Sequence, residues 1–321
     1  MVGISHTVYK GKIMKKLLPL LGTVLFAGNV PLAEPNQAPL HPGSALISPQ
    51  MIEAIPGWSR YGELFLYLQT HWVKMLFLVI LIAVPAVFLI HYLIVGPKVF
   101  SHDGRKFLIF PSWQRIIHWI AALGFVLLIP TGVMIIYAAF FGGGTTVRFA
   151  RYLHDIGAVL FALTVLPMTL MWLKEMLPRM WDIKWMMILG GYLTKKKQEI
   201  PASKFNAGQK MWYWVATFGG IIMIITGFMM YIQNFNPALL NKLDLHQIDI
   251  LRIAVIVHLL LAMVVTALFF THVYMSLFAI KGSIDSMIDG CKSEDELKHL
   301  HSIYYKKIVK EGKDKDLADK C

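Results

Sequence analysis

Four histidines carry the clearest chemical signal in this sequence. They lie within or at the edges of long apolar runs and are His118, His154, His258 and His272. An ionisable side chain is costly to bury in such a run and needs a specific partner. Neutral imidazole is a good ligand for haem iron, and two imidazoles can fill both axial positions of one porphyrin. The four residues therefore predict haem binding by pairs of histidines.

The spacing of the histidines divides them into two pairs. His258 and His272 are fourteen residues apart in the last apolar run. Fourteen residues of helix rise about 21 Å in close to four turns, so both side chains share one face at different depths. The order of the runs brings His154 to the depth of His258 and His118 to the depth of His272. We expect two b-type haems, one near each surface of a membrane.

The other histidines have weaker interpretations. A single histidine in a membrane helix usually forms a hydrogen bond with a neighbouring helix. His71 and His91 lack a partner at matching depth, and we interpret His71 as an interfacial residue and His91 as a helix-end residue. Cys291 and Cys321 form no Cys-x-x-Cys motif, which excludes a covalent c-type haem, an iron–sulfur cluster or a thiolate zinc site. Their number and spacing predict no disulfide framework.

Five apolar runs would position these histidines. Hydrophobic residues make up 56% of the chain, and charged residues only 16%. Each run has about the 20 residues that cross a bilayer, and a backbone in lipid must be helical to satisfy its polar groups. We predict an all-α integral membrane protein, with a four-helix haem-binding transmembrane bundle plus one extra N-terminal transmembrane helix. The runs cover roughly residues 72–95, 116–140, 153–173, 212–233 and 251–280.

Charge is divided unequally between the segments that join the runs. Alternate segments carry 21 lysines and arginines on one side and six on the other. The side rich in lysine and arginine is predicted to be cytoplasmic. The chain is therefore expected to lie in a bacterial inner membrane with its C-terminus in the cytoplasm. The net charge of +12 belongs to these segments, so nucleic acid is not a predicted partner. Aromatic residues near the helix ends are typical of an interfacial belt: Trp113, Trp119, Trp212, Tyr213 and Trp214.

The N-terminal region predicts export. Met14-Lys15-Lys16, a short apolar run and small residues up to Ala33 describe a secretory signal peptide, and residues 1–13 precede a start-like Met14. The predicted organisation is a leader at 1–33, a periplasmic proline-rich segment at 34–70, an extra transmembrane helix at 71–96, a di-haem cytochrome b bundle at 110–282 and a cytoplasmic tail at 283–321.

A polar motif precedes the fourth run on the predicted cytoplasmic side. It covers residues 204–210 and reads Lys-Phe-Asn-Ala-Gly-Gln-Lys. The side-chain amides of Asn206 and Gln209 can donate hydrogen bonds to a quinone carbonyl at the level of His118 and His272. The same residues fit a helix N-cap and a capping box. The two roles are compatible, and both remain open.

Several motifs keep a fixed order along residues 110–290. They are Arg115-Ile-Ile-His118-Trp119, Leu153-His154-Asp-Ile-Gly157, the motif at 204–210, Val257-His258, Thr271-His272-Val-Tyr-Met275 and Lys281-Gly-Ser-Ile284. Their order and separations resemble those of the cytochrome b, or gamma, subunits of respiratory formate dehydrogenases. They resemble more distantly the cytochrome b subunits of membrane-bound nickel–iron hydrogenases.

The resemblance implies a route for electrons. Under it, an iron–sulfur beta subunit passes electrons to an outer haem, and an inner haem reduces menaquinone. A molybdopterin alpha subunit with molybdenum or tungsten would oxidise formate outside the membrane, and this chain would not. The residues implied are His154 and His258 for the outer haem, His118 and His272 for the inner haem, and Asn206, Gly208 and Gln209 for menaquinone.

Other functions fit parts of the pattern. A nickel–iron hydrogenase cytochrome b would share the haems but accept electrons from hydrogen. A proton-coupled transporter could use the histidines as proton relays, and a passive anchor would only hold partner subunits. Both would be colourless, so a b-type absorbance spectrum excludes them. The sequence assigns no role to the helix at 71–96.

Overall fold

The computed structural model describes residues 62–101, 104–232 and 246–321. The predicted leader and the proline-rich residues up to 61 lie outside the described residues. The same applies to 102–103 and 233–245.

Long helices dominate the described chain, and the protein is an all-α integral membrane protein, as predicted. Five of its helices are long and apolar enough to cross a membrane, and a short helix, α4, joins the third of these to the fourth. The helices are α1 Glu63–Ile94, α2 Ser112–Ile136, α3 Gly144–Met176, α4 Met180–Met187, α5 Ala207–Ile232 and α6 Gln247–Ala279.

The first helix begins earlier than predicted. The sequence predicted a helix from residue 71 and assigned the residues before it to the proline-rich segment, whereas residues 63–70 are already helical. They contain no proline and carry mainly large apolar side chains. Further along α1, Phe77 is buried against Met263 of α6. The extra helix therefore packs directly on the helix that carries two of the four histidines.

Glycines allow α2 and α3 to pack closely. A Cβ atom on Gly124 would lie 3.2 Å from the carbonyl oxygen of Gly157, and one on Gly157 would lie 3.0 Å from the Cβ atom of Leu127. Small residues of this kind let two membrane helices approach at the backbone. The contact fixes α2 and α3 in register, and α2 carries His118 while α3 carries His154.

The C-terminal tail folds back on the segment that leads into α2. Strand β1, Lys106–Leu108, pairs antiparallel with strand β2, Cys291–Ser293. Around this sheet, the buried Phe107 and Phe110 pack with Leu297 and Ile308 of the tail and with Trp172 of α3. We call the end of the bundle that bears this structure the tail side and the opposite end the far side. The tail helices are α7 Asp285–Ile288, α8 Glu294–Leu300, α9 Ser302–Lys310 and α10 Asp314–Asp319.

A disulfide and ion pairs fasten the tail. Cys291 and Cys321 are paired in a single disulfide, which was not foreseen from the sequence, where only a disulfide framework was considered. The spacing could not show that α10 returns to β1 and brings the last residue back to β2. Arg105 lies 3.0 Å from Glu294 and 3.2 Å from Asp314. Its hydrogen bond to Glu294 lowers the pKa of that carboxyl to about 2.

Candidate functional site

His154 and His258 face each other on the far side of the bundle. The centres of their rings are 6.5 Å apart, and the ring planes are inclined by 54°. His154 comes from the first third of α3, and His258 comes from the first half of α6. We call these residues the far-side pair.

His118 and His272 face each other on the tail side. Their ring centres are 6.2 Å apart, and the planes are inclined by 60°. His118 lies near the start of α2, and His272 lies near the end of α6. The structure thus brings together both pairs that the sequence spacing proposed, and we call this one the tail-side pair.

Both pairs have the spacing that one iron atom requires. An imidazole nitrogen lies about 2 Å from a metal that it ligates and the ring centre roughly 1 Å further, so two rings across one iron have centres about 6 to 6.5 Å apart. Within the described residues, no group of three or more His, Cys, Asp or Glu side chains converges to hold a metal ion. Two imidazoles alone suit a metal whose other ligands are already supplied, as a porphyrin supplies four nitrogens.

Threonines contact the far-side pair. Thr131 Oγ1 lies 3.0 Å from His154 Nδ1, and Thr226 Oγ1 lies 3.0 Å from His258 Nδ1. On the tail side, by contrast, His118 Nδ1 is buried and has no hydrogen-bond partner among the described residues. The two pairs therefore share a ring spacing but differ in the groups around their rings.

A tryptophan links the tail-side pair to the polar motif. Trp212 stacks on His272, with ring centres 5.5 Å apart and planes inclined by 19°, and it also contacts Phe125 at 5.5 Å. The sequence assigned Trp212 to an interfacial belt, but its ring packs among groups inside the bundle. The sequence did contain a signal for this inward position. Trp212 follows Gln209 by three residues, and residues i and i+3 share a helix face.

The polar motif forms a reciprocal cap at the start of α5. Asn206 Oδ1 accepts a hydrogen bond from the Gln209 backbone N–H, and Gln209 Oε1 accepts one from the Asn206 backbone N–H, both at 2.9 Å. The predicted capping box is therefore confirmed. Because each side chain uses its oxygen in the cap, its NH₂ group keeps its donor capacity. A Cβ atom on Gly208, between them, would lie 3.0 Å from the Trp185 ring.

A buried ion pair supports this motif from α4. Lys210 Nζ lies 2.7 Å from Asp182 Oδ2 and 3.1 Å from the Leu177 carbonyl oxygen. Asp182 also accepts the Arg179 backbone N–H at the start of α4. Asp182 was not predicted as a functional residue, although a signal existed, since it is the sole acidic residue in the basic segment 176–198.

Lys204 opens the motif in a partly apolar setting. Its Nζ atom lies 5.0 Å from the centre of the Phe110 ring and 5.7 Å from that of Phe205. Burial lowers the pKa of Lys204, and the nearby Glu175 opposes this shift. Lys204 therefore releases a proton more readily than a fully solvated lysine.

The two remaining membrane histidines join neither pair. His71 contacts Thr70 within α1. His91 Nε2 lies 3.0 Å from the Tyr192 carbonyl oxygen, and its Nδ1 lies 2.5 Å from Tyr274 Oη. Since a carbonyl only accepts, Nε2 carries the hydrogen and Tyr274 donates to Nδ1. His91 thus ties the extra helix to α6 two residues beyond His272.

Comparison with known proteins places these residues in one family. A family model described as prokaryotic cytochrome b561 matches residues 109–290. The matched region is more than half of the chain and contains both histidine pairs and the motif at 204–210. The extra helix α1 and most of the tail lie outside it.

Curated relatives carry related names. The formate dehydrogenase cytochrome b556 subunit of Haemophilus influenzae is 26% identical over 212 residues, which cover 64% of this chain and 84% of the relative. The formate dehydrogenase cytochrome b556(fdo) subunit of Escherichia coli is 26% identical over 204 residues, which cover 61% and 90%. The nitrate-inducible formate dehydrogenase cytochrome b556(Fdn) subunit of the same species is 24% identical over 207 residues, which cover 61% and 89%.

Proposed function

Because the chain belongs to the prokaryotic cytochrome b561 family, we propose that it is the cytochrome b membrane subunit of a respiratory formate dehydrogenase. The observation that carries this proposal is the presence of two histidine pairs with ring centres 6.5 Å and 6.2 Å apart. The names of the relatives support formate, rather than hydrogen, as the source of electrons.

Each histidine pair holds one haem b in this proposal. The haems, when bound, supply one-electron carriers at two depths of the membrane. The far-side pair, His154 and His258, would hold one haem iron. The tail-side pair, His118 and His272, would hold the other. Both pairs include one histidine of α6, so this single helix fixes the separation of the two sites.

Menaquinone is proposed to bind at the start of α5. The NH₂ groups of Asn206 and Gln209 are donors for a quinone carbonyl oxygen, and their oxygens are held by the cap. Gly208 lies between these two residues, and the Trp185 ring packs against its backbone. Trp212, one turn after Gln209, stacks on His272 and connects this site to the tail-side pair.

The proposed orientation gives the reaction a direction. The far-side pair faces the periplasm and receives electrons from an iron–sulfur subunit. A molybdopterin subunit with molybdenum or tungsten oxidises formate and passes the electrons to that iron–sulfur subunit. The tail and the motif at 204–210 face the cytoplasm, where the quinone takes up protons. Electrons move towards the cytoplasm and protons are taken up from the cytoplasm, and the two together charge the inner membrane. The N-terminus is outside after signal-peptide cleavage.

A haem count on variants tests the proposal. The purified complex should contain two b-type haems in this subunit and should reduce a menaquinone analogue with formate. His154→Ala or His258→Ala should remove one haem and abolish this transfer, because a single imidazole no longer fills both axial positions. The measurements are a pyridine haemochrome count and a reduced-minus-oxidised spectrum.

Matched controls make the result specific. His71→Ala removes a histidine of α1 that belongs to neither pair, and it should leave both haems in place. An alanine variant of either pair that retains two haems would contradict the assignment. A colourless protein would favour a transporter or an anchor, and reduction by hydrogen but not formate would favour a hydrogenase subunit.

A further inference from the structure

The hydrogen bonds of the far-side pair define which ring nitrogen carries the proton. Thr131 Oγ1 lies 2.6 Å from the Leu127 carbonyl oxygen, and Thr226 Oγ1 lies 2.9 Å from the Ile222 carbonyl oxygen. A hydroxyl has a single hydrogen to donate, and a carbonyl oxygen can act only as an acceptor. Each threonine hydroxyl therefore donates to its own helix four residues back.

In its second contact, with the histidine, each threonine oxygen must then accept a hydrogen bond. The oxygen that donates to the carbonyl lies 3.0 Å from the histidine Nδ1 in both cases. Nδ1 must supply the hydrogen of that bond, so His154 and His258 both have the Nδ1–H tautomer. This tautomer leaves the lone pair on Nε2, which is the atom needed to bind iron.

The arrangement occurs twice with the same geometry. Thr131-Gly132 in α2 contacts His154 of α3, and Thr226-Gly227 in α5 contacts His258 of α6. In each case a Cβ atom on the glycine would lie 3.5 Å from the histidine Cε1, so the ring packs directly on the backbone. Both members of the far-side pair receive this contact from a neighbouring helix, whereas His118 Nδ1 of the other pair has no partner among the described residues.

We propose that Thr131 and Thr226 are positioning residues that help to hold the tautomer and orientation of the far-side pair and lower the reduction potential of the haem held there. An imidazole that donates its second N–H is a stronger ligand, and stronger donation stabilises ferric iron. This inference rests on the proposed function, since it concerns residues that act on a haem through its ligands.

Redox titration of the purified complex tests the inference with paired variants. Thr131→Val and Thr226→Val keep the shape of the side chain but remove the hydroxyl. Thr131→Ser and Thr226→Ser keep the hydroxyl. Thr164→Val is the matched control, because Thr164 is equally buried and bonds to the Leu160 and Phe161 carbonyls of its own helix.

The expected result is confined to one of the two haems. Each valine variant should raise the potential of that haem, shift its low-spin ferric EPR signal and leave the other haem at the wild-type values. The serine variants and Thr164→Val should titrate as wild type. Loss of one haem in a valine variant, with recovery in the serine variant, would support the same conclusion.

Two outcomes separate the inference from the proposed function. Valine variants that retain both haems with wild-type potentials and EPR signals would overturn the role of the threonines and leave the haem assignment intact. A wild-type complex without b-type haem in this subunit would overturn both.

Discussion

At the scale of single residues, Asn206 and Gln209 combine a structural and a proposed binding role that substitutions can separate. Asn206→Asp and Gln209→Glu keep the oxygen that accepts the capping hydrogen bond but replace the NH₂ donor with a second oxygen. An acidic residue in the first turn is also favourable for a helix. We expect α5 and both haems to be retained while the KM for a menaquinone analogue rises roughly two- to tenfold, which corresponds to one lost hydrogen bond.

The charge introduced by these changes needs its own control. Gln198→Glu makes the same chemical change at an exposed position of the segment that precedes the motif, and its KM should equal that of the wild type. Steady-state quinone reduction with formate as donor measures all three variants. An unchanged KM in both Asn206→Asp and Gln209→Glu would place the quinone elsewhere.

Residue-level chemistry was only partly readable from the sequence. The four paired histidines were predictable because imidazole in an apolar run is rare and their spacing restricts the partners. Thr131 and Thr226 were visible only as a repeated Thr-Gly step, since a threonine in a membrane helix normally satisfies its own backbone. Trp212 was misassigned because an aromatic residue near a helix end has the same sequence signature whether it faces lipid or a neighbouring helix.

At the scale of elements, α4 and the start of α5 depend on one buried ion pair. Lys210→Met would leave Asp182 charged and buried without its partner, and breaking a buried pair in this way costs about 3 kcal/mol or more. We expect a lower temperature of thermal inactivation and weaker quinone binding, because Asp182 positions α4 and Lys210 lies next to Gln209.

A double substitution distinguishes charge imbalance from lost packing. Asp182→Asn combined with Lys210→Met removes both charges and keeps an oxygen to accept the Arg179 backbone N–H. Its inactivation temperature should lie well above that of Lys210→Met alone. A double variant as unstable as the single one would show that the charge left on Asp182 is not the cause.

Elements in lipid were predictable, and elements outside it were not. All five long helices follow from the length of the apolar runs, because a bilayer admits little else. Strands β1 and β2 have three residues each and pair across some 180 positions of the chain, beyond any local pattern. The disulfide between Cys291 and Cys321 depends on that same long-range return and was missed with it.

At the scale of the whole molecule, the two sides of the bundle differ in charge and in chemistry. The tail side carries the motif at 204–210 and the lysine- and arginine-rich segments, and the far side carries the threonine-supported pair. If the positive side is cytoplasmic, the proposed quinone reduction would occur on the side from which protons are drawn. Energy conservation by the proposed reaction would therefore depend on the orientation of the protein as much as on its haems.

Reporter fusions test that orientation directly. Alkaline phosphatase is active only after export, so a fusion after Phe141, between α2 and α3, should be active, and a fusion after Lys196, between α4 and α5, should be inactive. Green fluorescent protein joined after Cys321 should fluoresce, as it does in the cytoplasm. The opposite pattern would place the quinone motif outside, and electron transfer from formate would then no longer charge the membrane in the proposed sense.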